Sequence, residues 1–145
     1  MVDRLRAELR IAQGDQAGAR AIYQRAWQRA PDAAALWLGY GESMLAAGDA
    51  DAARRFLEDR LRERPAEHRL YPLLARTHGQ LGRLGAQHRV LAEGYLVNGQ
   101  LPLAIEQLQI AQRAAGNDFI EQSMIDARLR ELKARQAEEA RRPQQ

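Results

Sequence analysis

The sequence predicts an all-α fold, with about eight antiparallel helices stacked side by side as an α-solenoid and closed by a C-terminal capping helix. Three observations carry that prediction. Seven chain-breaking residues, Gly14, Pro31, Gly48, Pro65, Gly82, Gly99 and Gly116, stand seventeen apart. Between them apolar residues recur at three- and four-residue spacing, which lines one face of a helix. No stretch sustains the alternation of a strand. Seventeen residues hold one helix of about fourteen residues, roughly 20 Å long, plus a tight turn. Gly is favoured just past a helix end, and Pro stands shortly after one because it cannot continue the helix.

The elements follow in order. The unit ahead of Gly14 is the first helix. In the second, Ala19, Ile22, Tyr23, Ala26, Trp27 and Ala30 share a face. The third carries Trp37, Tyr40, Gly41, Met44 and Leu45, and the fourth Ala53, Phe56, Leu57 and Leu61. Leu70, Tyr71, Leu74, His78 and Leu81 mark the fifth. Val90, Leu91, Tyr95 and Leu96 mark the sixth, and Leu101, Ala104, Ile105, Leu108 and Ala111 the seventh. The last helix differs. Asn117 or Asp118 can cap it, and with Asp118 at the cap, Glu121 falls where it can reach back. Phe119, Ile120, Met124, Ile125, Leu129 and Leu132 form its stripe. Residues 1–133 read as one helical repeat domain, and 134–145 as a frayed polar helix end and tail finishing Arg141-Arg142-Pro143-Gln144-Gln145. A terminal repeat needs a polar outer face, and this helix has one.

Two units make thirty-four residues, the period of the tetratricopeptide (TPR) repeat. Ala19, Tyr23, Ala26 and Pro31 match half of its pattern. Trp37, Gly41, Gly48, Ala53 and Pro65 match the next repeat, and Tyr71, Ala75 and Gly82 begin a third. There Gln87 and Gly94 occupy expected Ala positions, and Ala104, Leu108 and Ala111 restore the second-helix signature one helix late. The register therefore slips between Gly82 and Gly99. The helix from about Ala86 to Val97 is expected to serve both as second helix of one hairpin and first of the next.

Composition bounds the function. The chain has 145 residues, a net charge of +3 and no cysteine, so disulfides and thiolate metal sites are excluded. No apolar run approaches the length that spans a bilayer, and Met1-Val2-Asp3-Arg4 carries no signal-peptide core. Almost every basic residue is Arg, with Lys133 alone as Lys. A uniform Arg and Ala bias reads as coding preference.

The second half resembles a known family. The residues that carry the likeness run from about Leu70 to Glu131. They include His88-Arg89-Val90-Leu91-Ala92-Glu93-Gly94-Tyr95, Ala104-Ile105-Glu106-Gln107-Leu108 and Asp126-Ala127-Arg128-Leu129-Arg130-Glu131-Leu132. This stretch is similar to the C-terminal tetratricopeptide domain of the BepA-type periplasmic zinc metalloproteases of Gram-negative bacteria. The resemblance implies a periplasmic setting and outer-membrane protein assembly and quality control. The partners it implies are the barrel-assembly machinery, substrates and an upstream protease domain. None of the three His begins the HExxH motif that supplies zinc ligands and a catalytic Glu. The resemblance thus carries over no catalytic residue, metal ligand or cofactor to this chain.

Other constellations have plainer accounts. His68, His78 and His88 are ten apart, which turns successive ones to different faces of a helix, although His78 and His88 flank Gly82 and could meet across a hairpin. Two His without a nearby carboxylate make a poor metal site. Arg54, Arg55, Arg60, Arg62 and Arg64 are interleaved with Glu58, Asp59 and Glu63, the pattern of a solvated face with intrahelical pairs, and lack the aromatic platform of a nucleic-acid binder. Trp37, Tyr40, Tyr71 and Tyr95 read as core, with Trp37 and Tyr71 equivalent one repeat apart.

The expected function is therefore binding of a protein or peptide without catalysis. Stacked hairpins curve, and first helices line the concave side. Its candidate contact residues are Arg4, Glu8, Leu38, Glu42, Arg69, Arg76 and Gln80. Arg89, Glu93 and Asn98 join if the sixth helix also faces inward. Arg can hold a carboxylate through bidentate hydrogen bonds. The alternative is a stand-alone adaptor of a secretion or pilus-assembly system, and apolar surface on the first helix would favour a homodimer in isolation. No nucleic acid, membrane span or cofactor is expected.

Overall fold

Every helix forms where a periodic apolar stripe lies between two breaks. A computed structural model describes residues 2–142. Its helices are α1 (Val2–Ala12), α2 (Gln16–Arg29), α3 (Ala34–Ala46), α4 (Ala50–Glu63), α5 (Leu70–Gln80), α6 (Leu84–Val97), α7 (Leu101–Ala114) and α8 (Phe119–Arg141). Among the described residues there is no strand. All seven periodic residues fall between helices. The five glycines among them close their helices at φ between 57° and 81°, a left-handed turn that a Cβ would strain. The two prolines head the remaining turns, and each receives the same hydrogen bond. Trp37 Nε1 donates to the Pro31 carbonyl at 2.8 Å, and Tyr71 Oη donates to that of Pro65 at 2.6 Å. Repeat equivalence is thus visible at the level of one donor and one carbonyl.

Asp15, Asp49 and Asp118 cap α2, α4 and α8, each accepting from the backbone N–H three residues on. Glu121 does not reach back to complete the capping box. Its carboxylate is taken instead by Arg89 of α6. A guanidinium offers it a charge-assisted pair in place of one neutral N–H.

Consecutive helices pack against each other throughout, as antiparallel hairpins must. The contacts between helices two apart change partway along: α3 lies against α5, and farther on α6 lies against α8. The first-helix row thus passes from odd to even elements at α6, the structural form of the register slip. The buried residues divide accordingly. One cluster runs from Ala7 through Trp37, Met44, Leu57 and Leu74 to Val90, and the other from Ala92 through Ile105 and Leu108 to Leu129 and Leu132. Val90 and Ala92 lie about 200° apart around α6, so that helix is buried on two faces.

Trp27, Tyr40 and Phe56 form an aromatic cluster with centroids 4.7–6.3 Å apart, and the Arg60 guanidinium stands 5.0 Å over the Trp27 ring. Tyr71 and Tyr95, read as core, are only half-buried. Both line a cleft beside His68 and Asn98, because the Gly94 backbone comes so close to Tyr71 that a Cβ there would stand 2.9 Å from that of Tyr71. The helix α8 continues unbroken to Arg141, and its residues from Lys133 on are exposed. Pro143, Gln144 and Gln145, read as tail, lie outside the described residues, as does Met1.

Candidate protein-interaction surface

Arg4 and Glu8 stand one turn apart on α1, and Leu38 and Glu42 one turn apart on α3. The four line a single cleft of about 230 Å³, together with Tyr23, Ala35 and Gly39. Tyr23 rises into it from α2, which lies between the two. A Cβ at Gly39 would overlap the Tyr23 ring, so glycine there is what lets the ring seat beneath α3. Arg4 Nε binds Glu8 Oε1 at 2.9 Å. The lining then holds one guanidinium against two carboxylates, a net negative charge. Burial, and next the carboxylates of Glu8 and Glu42, hold the Tyr23 hydroxyl above the ordinary phenol range. The cleft is therefore a partly apolar, acidic surface.

The α5 candidates form a different surface. Arg69, Arg76 and Gln80 are exposed, and Arg69 Nε lies 2.9 Å from Glu67. The last group divides. Arg89 and Glu93 face α8 rather than open solvent. Arg89 pairs with Glu121, while Arg128 binds Glu93 through Nε at 2.7 Å and Nη2 at 2.9 Å. The hydrogen bonds from Arg128 to Glu93 strengthen its hold on its proton. On the sixth helix these charges serve the packing of α6 against α8. Asn98 is exposed at the edge of the cleft of Tyr71 and Tyr95.

The histidines do not meet. His88 Nδ1 lies 2.9 Å from Gln107 Oε1 of α7, whereas His78 is buried with Nε2 3.7 Å from Glu58 Oε1, too long for a hydrogen bond. No group of three metal-ligating side chains gathers among the described residues, and no helix there is long and apolar enough to cross a membrane. The Arg-rich α4 is laced with pairs, Arg54 to Asp51 and Glu58 and Arg62 to Asp59, and Arg64 at its C-terminal end reaches Asp32 in the turn between α2 and α3.

The apolar surface expected on the first helix is an exposed stripe of Val2, Leu5 and Leu9. Its signal was present, since Val2, Leu5 and Leu9 keep helical spacing.

The Tetratricopeptide repeat family model matches residues 10–77. Among solved structures the fold is similar to that of MamA ("MamA RS-1 ArsTM double mutant"), at 13% identity over 93% of this chain and 94% of that one, with a TM-score of 0.53. No curated protein matches the chain in sequence. Residues 10–77 thus carry tetratricopeptide repeat sequence, and the described chain is a TPR-like α-solenoid. The matched segment ends one residue before His78, ahead of the slip in register.

Proposed function

We propose that the chain is a non-catalytic interaction module that holds a protein or peptide segment against the concave row of α1, α3 and α5. The observation that carries this reading is the convergence of Arg4, Glu8, Leu38 and Glu42 on one cleft; Arg69 and Arg76 add a separate exposed basic surface at α5. The repeat architecture supports it, because stacked helices offer an extended surface and no constellation for chemistry. Replacing Arg69 and Arg76 together by Glu should weaken partner capture at least tenfold, about 1.4 kcal/mol, and leave the helical circular dichroism unchanged. Unaltered capture by that folded variant would remove the α5 wall from the site.

The setting we propose is the repeat domain of a periplasmic BepA-type metalloprotease, docking outer-membrane assembly partners. The likeness of Leu70–Glu131 to that family supports it, and the MamA likeness, at 13% identity, speaks to fold alone. A gene encoding a leader and an HExxH domain upstream of Val2 would bear this out. A stop codon directly upstream of the first codon, with no such domain, would favour a self-standing adaptor.

A further inference from the structure

We infer that the cleft between α4, α5 and α6 receives a tyrosine side chain of a partner polypeptide, its ring against Leu61, Leu74 and Val90 and its hydroxyl between His78 and Glu58. The cleft shares no lining residue with the α1–α3 cleft, nor does it include Arg69 or Arg76. The inference therefore stands apart from the reading above.

Comparison of successive repeats shows what is missing there. Leu61, Leu74 and Val90 stand thirty-four residues after Trp27, Tyr40 and Phe56, one full repeat on. In the earlier place the three rings pack on one another, and the Arg60 guanidinium covers Trp27 and Phe56. In the later place all three residues are aliphatic, and Gly94 stands at the position of Arg60. The equivalence is structural as well, because the three aliphatic residues again meet at one site. Where the rings fill the space in one repeat, a cleft of about 350 Å³ is open in the next, within the size range of ligand sites.

Polar groups select which ring enters. His78 takes the place of Met44, which is 2% exposed, so an imidazole occupies a position that is apolar core one repeat earlier. Its Nδ1 is buried without a hydrogen-bond partner, and its Nε2 lies 3.7 Å from Glu58 Oε1. The other carboxylate oxygen, Oε2, accepts from Arg54 Nη1 at 2.9 Å. Burial keeps the imidazole neutral at pH 7, and a proton on Nε2 faces the carboxylate. A hydroxyl oxygen about 2.8 Å from both groups accepts from Nε2–H and donates to Oε1. A bare phenyl ring does neither.

Charge agrees with a neutral aromatic occupant. Every ion of the lining is already paired: Arg62 with Asp59, Arg89 with Glu121, and Glu58 with Arg54. Such pairs engage the edge of a guanidinium and leave its flat face for the electron-rich face of a ring. A second copy of this chain does not supply the side chain. Its Tyr23 and Tyr40 are buried, and its Tyr71 and Tyr95 are half-buried in a cleft of their own.

The test titrates N-acetyl-tyrosinamide and N-acetyl-phenylalaninamide into the full chain, read by the NMR shifts of its leucine and valine methyls. Both should shift Leu61, Leu74 and Val90, with the tyrosine probe at least tenfold tighter. His78→Met, which copies the preceding repeat, should bring the tyrosine affinity down to that of phenylalanine. Leu61→Trp with Val90→Phe restores two of the missing rings. It should abolish the shifts at Leu74 while the helical circular dichroism is retained. Equal affinities of the two probes overturn the inference, and so does a tyrosine preference that survives His78→Met. Binding that persists in the filled cleft, or no saturable shift in the unaltered chain, overturns it as well.

Discussion

The imidazole of His78 lines a cleft between α4, α5 and α6 with Leu61, Leu74 and Val90, and its Nδ1 has no hydrogen-bond partner. Its side chain is 5% exposed. Burial first, then the guanidiniums of Arg89, Arg83 and Arg54, lower its pKa to about 4, against the opposing pull of Glu121. The contact with Glu58 is therefore not an ion pair at neutral pH. The folded-state pKa lies below the unfolded value of about 6.5, so stability is full above 6.5 and falls as pH drops toward 4. By linkage the loss should be about 2 kcal/mol between pH 7 and pH 5. Urea unfolding of His78→Gln should show that dependence flattened by nearly one proton; an unchanged slope would mean that His78 is already charged in the fold. Gly39 makes the companion point about sterics, since its missing side chain is what admits the Tyr23 ring.

At the scale of an element, α6 explains why the charged residues between helices are not interchangeable with those on α4. Arg89 and Glu121 are 25% and 11% exposed, whereas Arg62 and Asp59 are 73% and 52%. Water already satisfies the second pair, and exposed ion pairs are worth less than about 1 kcal/mol. Removing Arg89 would strand a buried carboxylate. Arg89→Ala is expected to destabilise the chain by about 2–4 kcal/mol, and Arg62→Ala by less than about 1 kcal/mol. Combining Arg89→Met with Glu121→Leu should recover most of the loss, because no orphaned charge remains. Denaturant midpoints of the four proteins decide this; equal costs for Arg89→Ala and Arg62→Ala would refute it.

Across the whole molecule, stability should grade along the stack, because each helix contacts only helices one or two places along and the ends have fewer of them. The centre is the most tightly held part, with α3 burying Trp37, Tyr40 and Met44 and α5 burying six residues, while α1 contributes Ala7 alone. Native-state hydrogen exchange should therefore find α1 and the exposed end of α8 opening first, and α3 to α6 last. Uniform protection from α1 to α7 would contradict that gradient.

Helix stops, the 3.6-residue stripes and the cap of the last helix are local features, written within a few residues of where they act, and the sequence alone determined them: Gly82 and the capping pair Asn117 and Asp118 needed no tertiary information to be placed. The slip at Gln87 and Gly94 was legible for the same reason, as a break in a one-dimensional period. Only the tertiary structure decided that Glu121 serves Arg89 rather than its own cap, that Glu93 serves Arg128, and that Arg4, Glu8, Leu38 and Glu42 share one cleft while Arg69 and Arg76 stand apart. Those pairings join residues about thirty positions apart. Which helix lies beside which, and how deeply each charge is taken from water, follow from packing that no local pattern records.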